Sequence, residues 1–452
     1  MTTVLTQPRA PSWKWFVCGL LFLATMMMYM DRQTLAPLAQ RISHELHLSN
    51  EQYGALEQGF GFAFAIGAIV NGLIADRVSI RWLYPVMFIG WSAAGVATAW
   101  SLEIGQQIAG LLPGLLGDAA ASSPERFQSE TAYLGLLACR VVLGFFESGH
   151  WPCALITTQR LLAANDRPLG NSVLQSGASI GAILAPPIVI AMVSDDIGGW
   201  KSPFVVIGLI GMLWVIPWLW IVRGRDLSRT PTGRASEGVH AVNDIKESID
   251  WPLAIRRYLV LLAVVIPINM TWQFFRAWLP KMLGEQHGYS VTFIAWFSSA
   301  YFIMADIGCL AVGFAVKGLT ASRWPVHRAR VLTFVVCSAL CMLSALAAFL
   351  PAGPLLLGTL LLIGFGSLGL FPTYYSLAQE ITYKNQGLVS GSLGFSTWMV
   401  TSIMQRYVGR SIDQTHSYAT GLFWAGQVPL IACLALALFW GASRADSDAE
   451  IQ

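Results

Sequence analysis

Charge is what this sequence has least of. Asp, Glu, Lys and Arg make up 12% of its 452 residues, about half the share of a water-soluble domain. A surface so poor in charge cannot be wetted all round, which excludes the three or so soluble domains that the length alone would allow. The 28 basic and 25 acidic side chains leave a net charge of +3, and no basic run carries interleaved aromatics, so a nucleic-acid surface is excluded too. The seven cysteines (Cys18, Cys139, Cys153, Cys309, Cys337, Cys341 and Cys433) all lie in apolar stretches. They form no CxxC pair and no Cys/His pattern, so neither a disulfide framework nor a metal site is implied. Walker sequences, Gly-rich phosphate loops and catalytic triads are likewise missing. The sequence predicts no enzyme and no cofactor.

What fills the chain instead is apolar: hydrophobic residues make up 55% of it and the mean hydropathy is +0.57. A helix needs about 20 apolar residues to cross a bilayer. Twelve runs meet that need, at about 14–38, 52–75, 82–100, 132–157, 171–194, 202–222, 257–282, 291–316, 329–350, 354–379, 387–411 and 418–441. The first is too long for the apolar part of a signal peptide and ends without a small-residue cleavage site, so it counts as a span. The expected fold is an all-α membrane protein of twelve transmembrane helices in contact with lipid.

With both termini placed in the cytoplasm, the inner flanks hold Arg77, Arg81, Arg160, Arg167, the basic residues of 223–257 and those from Lys317 to Arg330. The outer loops hold few: Arg41, Arg126, Lys201 and Arg410. That asymmetry is the positive-inside pattern. The polar stretch 223–256 then becomes a cytoplasmic linker between two six-helix halves, 14–222 and 257–441, with cytoplasmic tails at 1–13 and 442–452. The other long connection, 101–131, falls outside. Broken by Pro and Gly, it reads as a tolerated insertion, with an external lid or packing element as the other reading.

A six-plus-six division invites a search for duplication. Gly144-Phe145, Gly149 and Pro152 in span 4 recur as Gly364-Phe365, Gly369 and Pro372 in span 10. Gly170, Gly177 and Ser179 are matched at similar offsets by Gly387, Gly394 and Ser396.

Ionisable groups inside the membrane are expensive, at roughly 2.5–3.5 kcal/mol each by insertion scales. Here they are Asp31, Arg32, Glu57, Arg140, Glu147, Arg276 and Asp306, with Arg406 near the outer end of span 11. Signs nearly balance, as a mutually paired interior requires. Arg140 and Glu147 stand seven residues apart, about 10 Å along a helix axis, too far for a direct bridge. Counting from the span ends puts Asp31 and Arg140 at similar depth, so the two are expected to pair. Arg32 is then left for Glu147 or for an anionic substrate. The plainer reading is that such pairs only lock helices together, although buried pairs are a poor source of stability. A buried carboxylate whose cation partner moves away takes a proton, which makes Glu147 and Asp31, with Arg140 beside them, the candidates for proton coupling. His150 is a weaker one.

Several stretches carry a resemblance. "GLIADRVSIR" (Gly72–Arg81) and "RVVLG" (Arg140–Gly144) resemble the loop 2–3 and span 4 motifs of the major facilitator superfamily. "YMDR" (Tyr29–Arg32), the Arg140-to-Glu147 spacing, "GASIGAILAPP" (Gly177–Pro187), "RAWLP" (Arg276–Pro280) and "ADIGC" (Ala305–Cys309) are similar to its anion:cation symporter branch, bacterial hexuronate and aldonate transporters in particular. The resemblance implies that Arg32 grips a substrate carboxylate, with Tyr29 a further substrate-binding candidate, that Asp31 and Glu147 exchange protons, and that Gln175 and residues of spans 7, 10 and 11 contact hydroxyls. The chain departs from the branch at Phe64, Ala68 and Arg276, where relatives tend to have Tyr, Gln and Asn. Arg276 stands in span 7 where Arg32 stands in span 1. It either meets a second anionic or polyhydroxylated end of the substrate or pairs with Asp306.

Trp272, Gln273, Tyr374, Tyr375, Gln379, Ser396 and Trp398 can supply the hydrogen bonds and stacking surfaces of a sugar-acid pocket, or act as packing between helices. Asp76, Arg77 and Arg81 are read as a gate. The functional expectation is uptake of a small organic anion by a monomeric secondary transporter of the inner membrane, coupled to protons or sodium. A proton-coupled exporter is the first alternative and a transport-inactive membrane sensor the second.

Overall fold

A computed structural model describes residues 12–112, 123–162, 167–227, 251–378 and 386–440, and every regular element among them is helical. Before residue 228 the helices are α1 (Trp13–Gln33), α2 (Leu35–Glu45), α3 (Asn50–Arg77), α4 (Ile80–Ala97), α5 (Ser101–Leu111), α6 (Pro124–Glu147), α7 (His150–Leu161), α8 (Arg167–Ala191), α9 (Lys201–Leu213) and α10 (Val215–Ile221). After residue 250 come α11 (Trp251–Glu285), α12 (Val291–Ala321), α13 (Val326–Met342), α14 (Ser344–Ala347) and α15 (Pro354–Gly369). The last are α16 (Phe371–Ala378), α17 (Gln386–Thr415), α18 (Ala419–Gln427) and α19 (Pro429–Phe439).

Many of these are pieces of one span, and proline explains most of the breaks. Pro37, Pro152, Pro217 and Pro372 lack the N–H that would bond one turn back, and the joints α1–α2, α6–α7, α9–α10 and α15–α16 fall within that turn. Joined pieces included, eleven stretches are long and apolar enough to cross a membrane, from Trp13–Glu45 to Ala419–Phe439. Of the twelve expected runs, 387–411 is the one that apolarity does not mark. It is nevertheless helical within α17, whose Ser402 and Gln405 are buried in the interior. The 101–131 insertion needs correcting: Ser101–Leu111 is helix α5, packed on α6, and α6 itself begins at Pro124. Much of the supposed loop therefore extends spans 3 and 4. The expected linker is shorter than 223–256, since helix resumes at Trp251; residues 228–250 and both tails lie outside the described residues.

Large apolar side chains cover the outside. Phe16, Trp220, Phe314, Phe349 and Leu438 are all exposed, a surface suited to hydrocarbon rather than water. Inside, glycines set the helix spacing. A Cβ at Gly144 of α6 would strike Phe60 of α3, and one at Gly364 of α15 would strike Tyr301 of α12. The duplicated glycine thus makes the same contact twice, fourth span against second in each set.

The two sets of helices meet mainly where α3 lies along α17, α11 along α2, and α12 along α8. Gly54 and Gly409 leave no room for a Cβ between α3 and α17, each facing the other helix's backbone. Asp413 of α17 accepts from the backbone N–H groups of Asn50 (2.9 Å) and Glu51 (2.7 Å) and from Asn50 Nδ2 (2.9 Å), so it caps the N-terminus of α3 from the opposite set. Lys281 bonds Asn50, Arg406 pairs with Glu51 at 3.0 Å, and Tyr53 Oη donates to Ala277 O at 3.0 Å. These ties all lie at one end.

Candidate functional site

Beyond the sealed end, α1, α3, α6, α11 and α17 bring together most of the buried charges. Arg32 of α1 donates through Nε (2.9 Å) and Nη2 (2.7 Å) to Glu147 Oε2 of α6. Glu147 Oε1 is buried without a partner. The Arg32 guanidinium lies among four rings, 5.2 Å from the centre of Tyr29, 5.3 Å from Phe60, 5.0 Å from Phe64 and 5.7 Å from Trp398. Ring faces attract cations by about 0.5–2 kcal/mol each, so this cage holds the guanidinium in addition to its carboxylate partner.

Arg140 does not pair with Asp31. Its Nη2 donates to Glu57 Oε1 at 2.7 Å. Depth along the membrane was matched in the sequence, but direction was not: α3 lies directly on α6 through the Gly144–Phe60 contact, whereas Asp31 is turned to α4, beside Gly95. Asp31 is buried, its Oδ2 has no partner, and no arginine or lysine among the described residues forms an ion pair with it. Arg140 therefore touches neither of the carboxylates with which it was grouped. Its burial is nearly complete, and its Nε and Nη1 have no acceptor.

Arg276 likewise does not pair with Asp306. Its Nη2 bonds Glu57 Oε2 and its Nε donates to Gln273 Oε1 at 2.5 Å. Asp306 faces α8 instead and accepts from Ser179 at 3.2 Å. Glu57 is consequently the centre of an Arg140–Glu57–Arg276 triad that crosses between the two sets of helices. Sequence reasoning noted Glu57 but gave it no role. Three arginines set against three carboxylates in spans 1, 2, 4 and 7 was the signal available. A polar relay supports the triad: Gln405 Nε2 donates to Gln273 O at 3.2 Å and Trp278 Nε1 to Gln405 Oε1 at 2.6 Å.

His150 lies outside this cluster. Fully buried, it sits 3.1 Å from Thr25 Oγ1 through Nε2 and 2.9 Å from Tyr84 Oη through Nδ1. The Thr25 hydroxyl proton is directed to Leu21 O at 2.9 Å, so Nε2 is the donor and Tyr84 donates to Nδ1. This is packing between α1, α4 and α7. Trp272 stacks near Tyr301 with ring centres 6.4 Å apart, and buried Tyr374 lies 5.1 Å from the exposed ring of Tyr375. Gln175 is exposed and Ser396 half-buried; Gln379 lies outside the described residues. Of the gate trio, Asp76 is exposed, Arg77 donates to Leu73 O of its own helix at 3.0 Å, and Arg81 reaches Leu219 O at 3.2 Å. Both arginine bonds stay within the first set of helices.

The profile of the Major Facilitator Superfamily matches residues 21–405. The chain belongs to that superfamily. Among curated proteins it is similar to the hexuronate transporter of Escherichia coli (strain K12), 24% identical over 424 residues with 88% of each chain covered. It is also similar to the galacturonate transporter of Dickeya chrysanthemi, 23% identical, covering 80% of this chain and 92% of the relative. Its fold matches the solved structure of a bacterial homologue of the human lysosomal transporter Spinster in an inward-facing, unoccupied conformation. That likeness has a TM-score of 0.71 at 15% identity and covers 98% of both chains. This superfamily member is a multi-pass membrane protein whose relatives are transporters of small organic anions rather than enzymes.

Proposed function

We propose that the chain is a twelve-span secondary transporter of the inner membrane, with cytoplasmic termini, which takes up an organic acid of the hexuronate or aldonate class together with protons. The observation that carries this reading is the caged Arg32–Glu147 pair, a buried cation whose counter-ion a substrate can replace. A substrate carboxylate takes Arg32, Glu147 loses its partner, and in a site this dry the released carboxylate binds a proton. Charge in the chamber is then unchanged, so the loaded carrier can reorient.

Asp31, buried without a cation, is the second proton carrier, and Arg140 keeps Glu57 in place beneath the pair. Tyr29, Trp398 and the aromatic wall around Arg32 give one face of the substrate pocket. Gln175, Trp272, Gln273, Arg276, Tyr374, Tyr375, Gln379 and Ser396 supply its polar contacts. The end sealed by Asp413 is periplasmic in this reading, and the opposite end, with Asp76, Arg77 and Arg81, is the cytoplasmic gate. The transporting unit is a single chain.

Uptake by purified protein in liposomes tests this, using radiolabelled glucuronate, galacturonate, galactonate and galactarate with proton, sodium or no gradients imposed. Accumulation of one of the four driven by protons alone is expected. Sodium dependence would reassign the coupling ion, efflux against an inward proton gradient would favour the exporter, and failure of all four with folded protein would sink the sugar-acid reading.

A further inference from the structure

Glu57 is the buried charge to which the proposed cycle gives no task of its own. Its carboxylate is shared by two arginines from opposite sets of helices, Arg140 at 2.7 Å on Oε1 and Arg276 on Oε2. All three side chains are more than nine-tenths buried. The Arg140 guanidinium carbon stands 5.0 Å from the centre of the Phe60 ring and that of Arg32 stands 5.3 Å from the same centre, so the two cations lie within about 10 Å of each other around one ring. Two arginines converging on one point form a position for an anion, and here the chain fills it with its own carboxylate.

The position is filled but not saturated. Arg140 Nε and Nη1 and Arg276 Nη1 are buried donors without acceptors, and hydroxyl oxygens can satisfy them without adding charge. A second carboxylate brought to the same arginines would instead stand against Glu57, where the low dielectric makes like charges repel more strongly than in water.

We propose that Glu57 is a specificity-determining residue: by occupying the place between Arg140 and Arg276 it restricts the carrier to acids with one carboxylate and a polyhydroxylated far end. The inference rests on the organic-anion reading above, with Arg32 as the site of the first carboxylate. It decides what Arg276 does: the arginine receives hydroxyls, and its charge is answered from within.

Galactonate and galactarate, which differ in the oxidation state of one terminal carbon, are the probes. Their affinities are measured by tryptophan fluorescence on purified protein and their KM values in liposomes. The wild type should prefer galactonate, and Glu57→Gln should move the galactarate-to-galactonate affinity ratio roughly tenfold or more toward galactarate, while Glu57→Asp keeps the wild-type order. An unmoved ratio in Glu57→Gln, or a wild type that prefers galactarate, would overturn the proposal. Should Glu57→Gln not fold, Glu57→Gln/Arg276→Gln removes one charge of each sign and leaves Arg140 without its counter-charge; the ratio should again move toward galactarate, and an unmoved ratio there would overturn the proposal equally. A folded wild type that binds neither acid defeats the organic-anion reading itself, a result distinct from either of these.

Discussion

Replacing Glu147 with Gln separates binding from coupling. Gln keeps the shape of the protonated acid, so the variant imitates the carrier after proton uptake. In the wild type, Arg32 holds Glu147 by two charge-assisted bonds of 2.9 and 2.7 Å in a place where neither side chain is more than 7% exposed. Hydrogen bonds to charged groups are worth about 1.5–3 kcal/mol each, and stripping a buried charge of its partner costs about 3–5 kcal/mol. Part of that cost is offset by the four rings around the guanidinium, at about 0.5–2 kcal/mol each, so the variant should fold. A substrate anion no longer competes with Glu147 for Arg32. One charge-assisted bond's worth of competition corresponds to about a tenfold gain in affinity at neutral pH.

The expected pattern has two parts. Anion binding by Glu147→Gln is tighter than in the wild type and nearly independent of pH, and exchange of labelled for unlabelled substrate across the liposome membrane persists. Net accumulation driven by a proton gradient is lost, because Glu147 no longer titrates and Asp31, which pairs with no cation among the described residues, is not coupled to the arrival of substrate at Arg32. Trp398, whose ring lies 5.7 Å from the guanidinium, serves as the fluorescence reporter of binding. Proton-driven accumulation surviving in Glu147→Gln would refute the assignment, and so would a tenfold weaker affinity.

Other expectations follow from the same geometry. Asp413→Ala removes three bonds from the first turn of α3; at about 1.5–3 kcal/mol in total for a partly exposed charge at a helix N-terminus, it should raise maleimide labelling of a cysteine placed at Gln405 by roughly tenfold or more. An unchanged labelling rate would show that the sealed end is held by packing. Arg32→Lys keeps the charge but loses the planar contact with the rings and the paired donors, so KM for the transported acid should rise about tenfold or more with little loss of folded protein by size-exclusion chromatography. Gly54→Leu inserts a side chain where the Gln405 backbone lies; overpacking of about 1–3 kcal/mol or more should disfavour the sealed state and slow exchange, and wild-type exchange rates would contradict the close approach of α3 and α17.

The positions of the spans were legible because apolar runs of the necessary length are hard to mistake, and the duplicated glycines of spans 4 and 10 do make equivalent contacts. Charged residue types were legible for a related reason: a chain with so few buried charges advertises each one. Partners were not. Counting residues from a span end fixes depth, yet a salt bridge also needs two side chains to point toward each other, and that direction is set by which helices touch. Arg140 went to Glu57 because α3 lies against α6, and Arg276 of α11 reaches the same carboxylate because α11 packs on α17, which lies along α3; no run of apolar residues contains either fact. Asp413 escaped notice for a simpler reason. It lies beyond the apolar run at 387–411, on a turn of α17 that continues to Thr415, and a search for charges inside the membrane stops short of it.

The kind of contact joining the two sets of helices bears on how they come apart. In lipid, apolar surface gains little from being covered by another apolar surface, so helices associate through close packing and polar bonds. Both are present here: glycines bring α3 and α17 into backbone contact, and Asp413, Arg406, Lys281 and Arg276 reach across. Packing of this kind is lost steeply when helices separate, which favours two discrete arrangements over a continuum. Polar bonds differ in what can replace them. Water can take over those of Asp413 and Arg406 at the partly exposed end, whereas Arg276 deep inside would lose Glu57 in a place water scarcely reaches. Opening the sealed end therefore requires something to stay with that arginine; in the proposed cycle the hydroxyls of a bound substrate provide it. An empty carrier has no such help, so its return should be slower than exchange of loaded carriers.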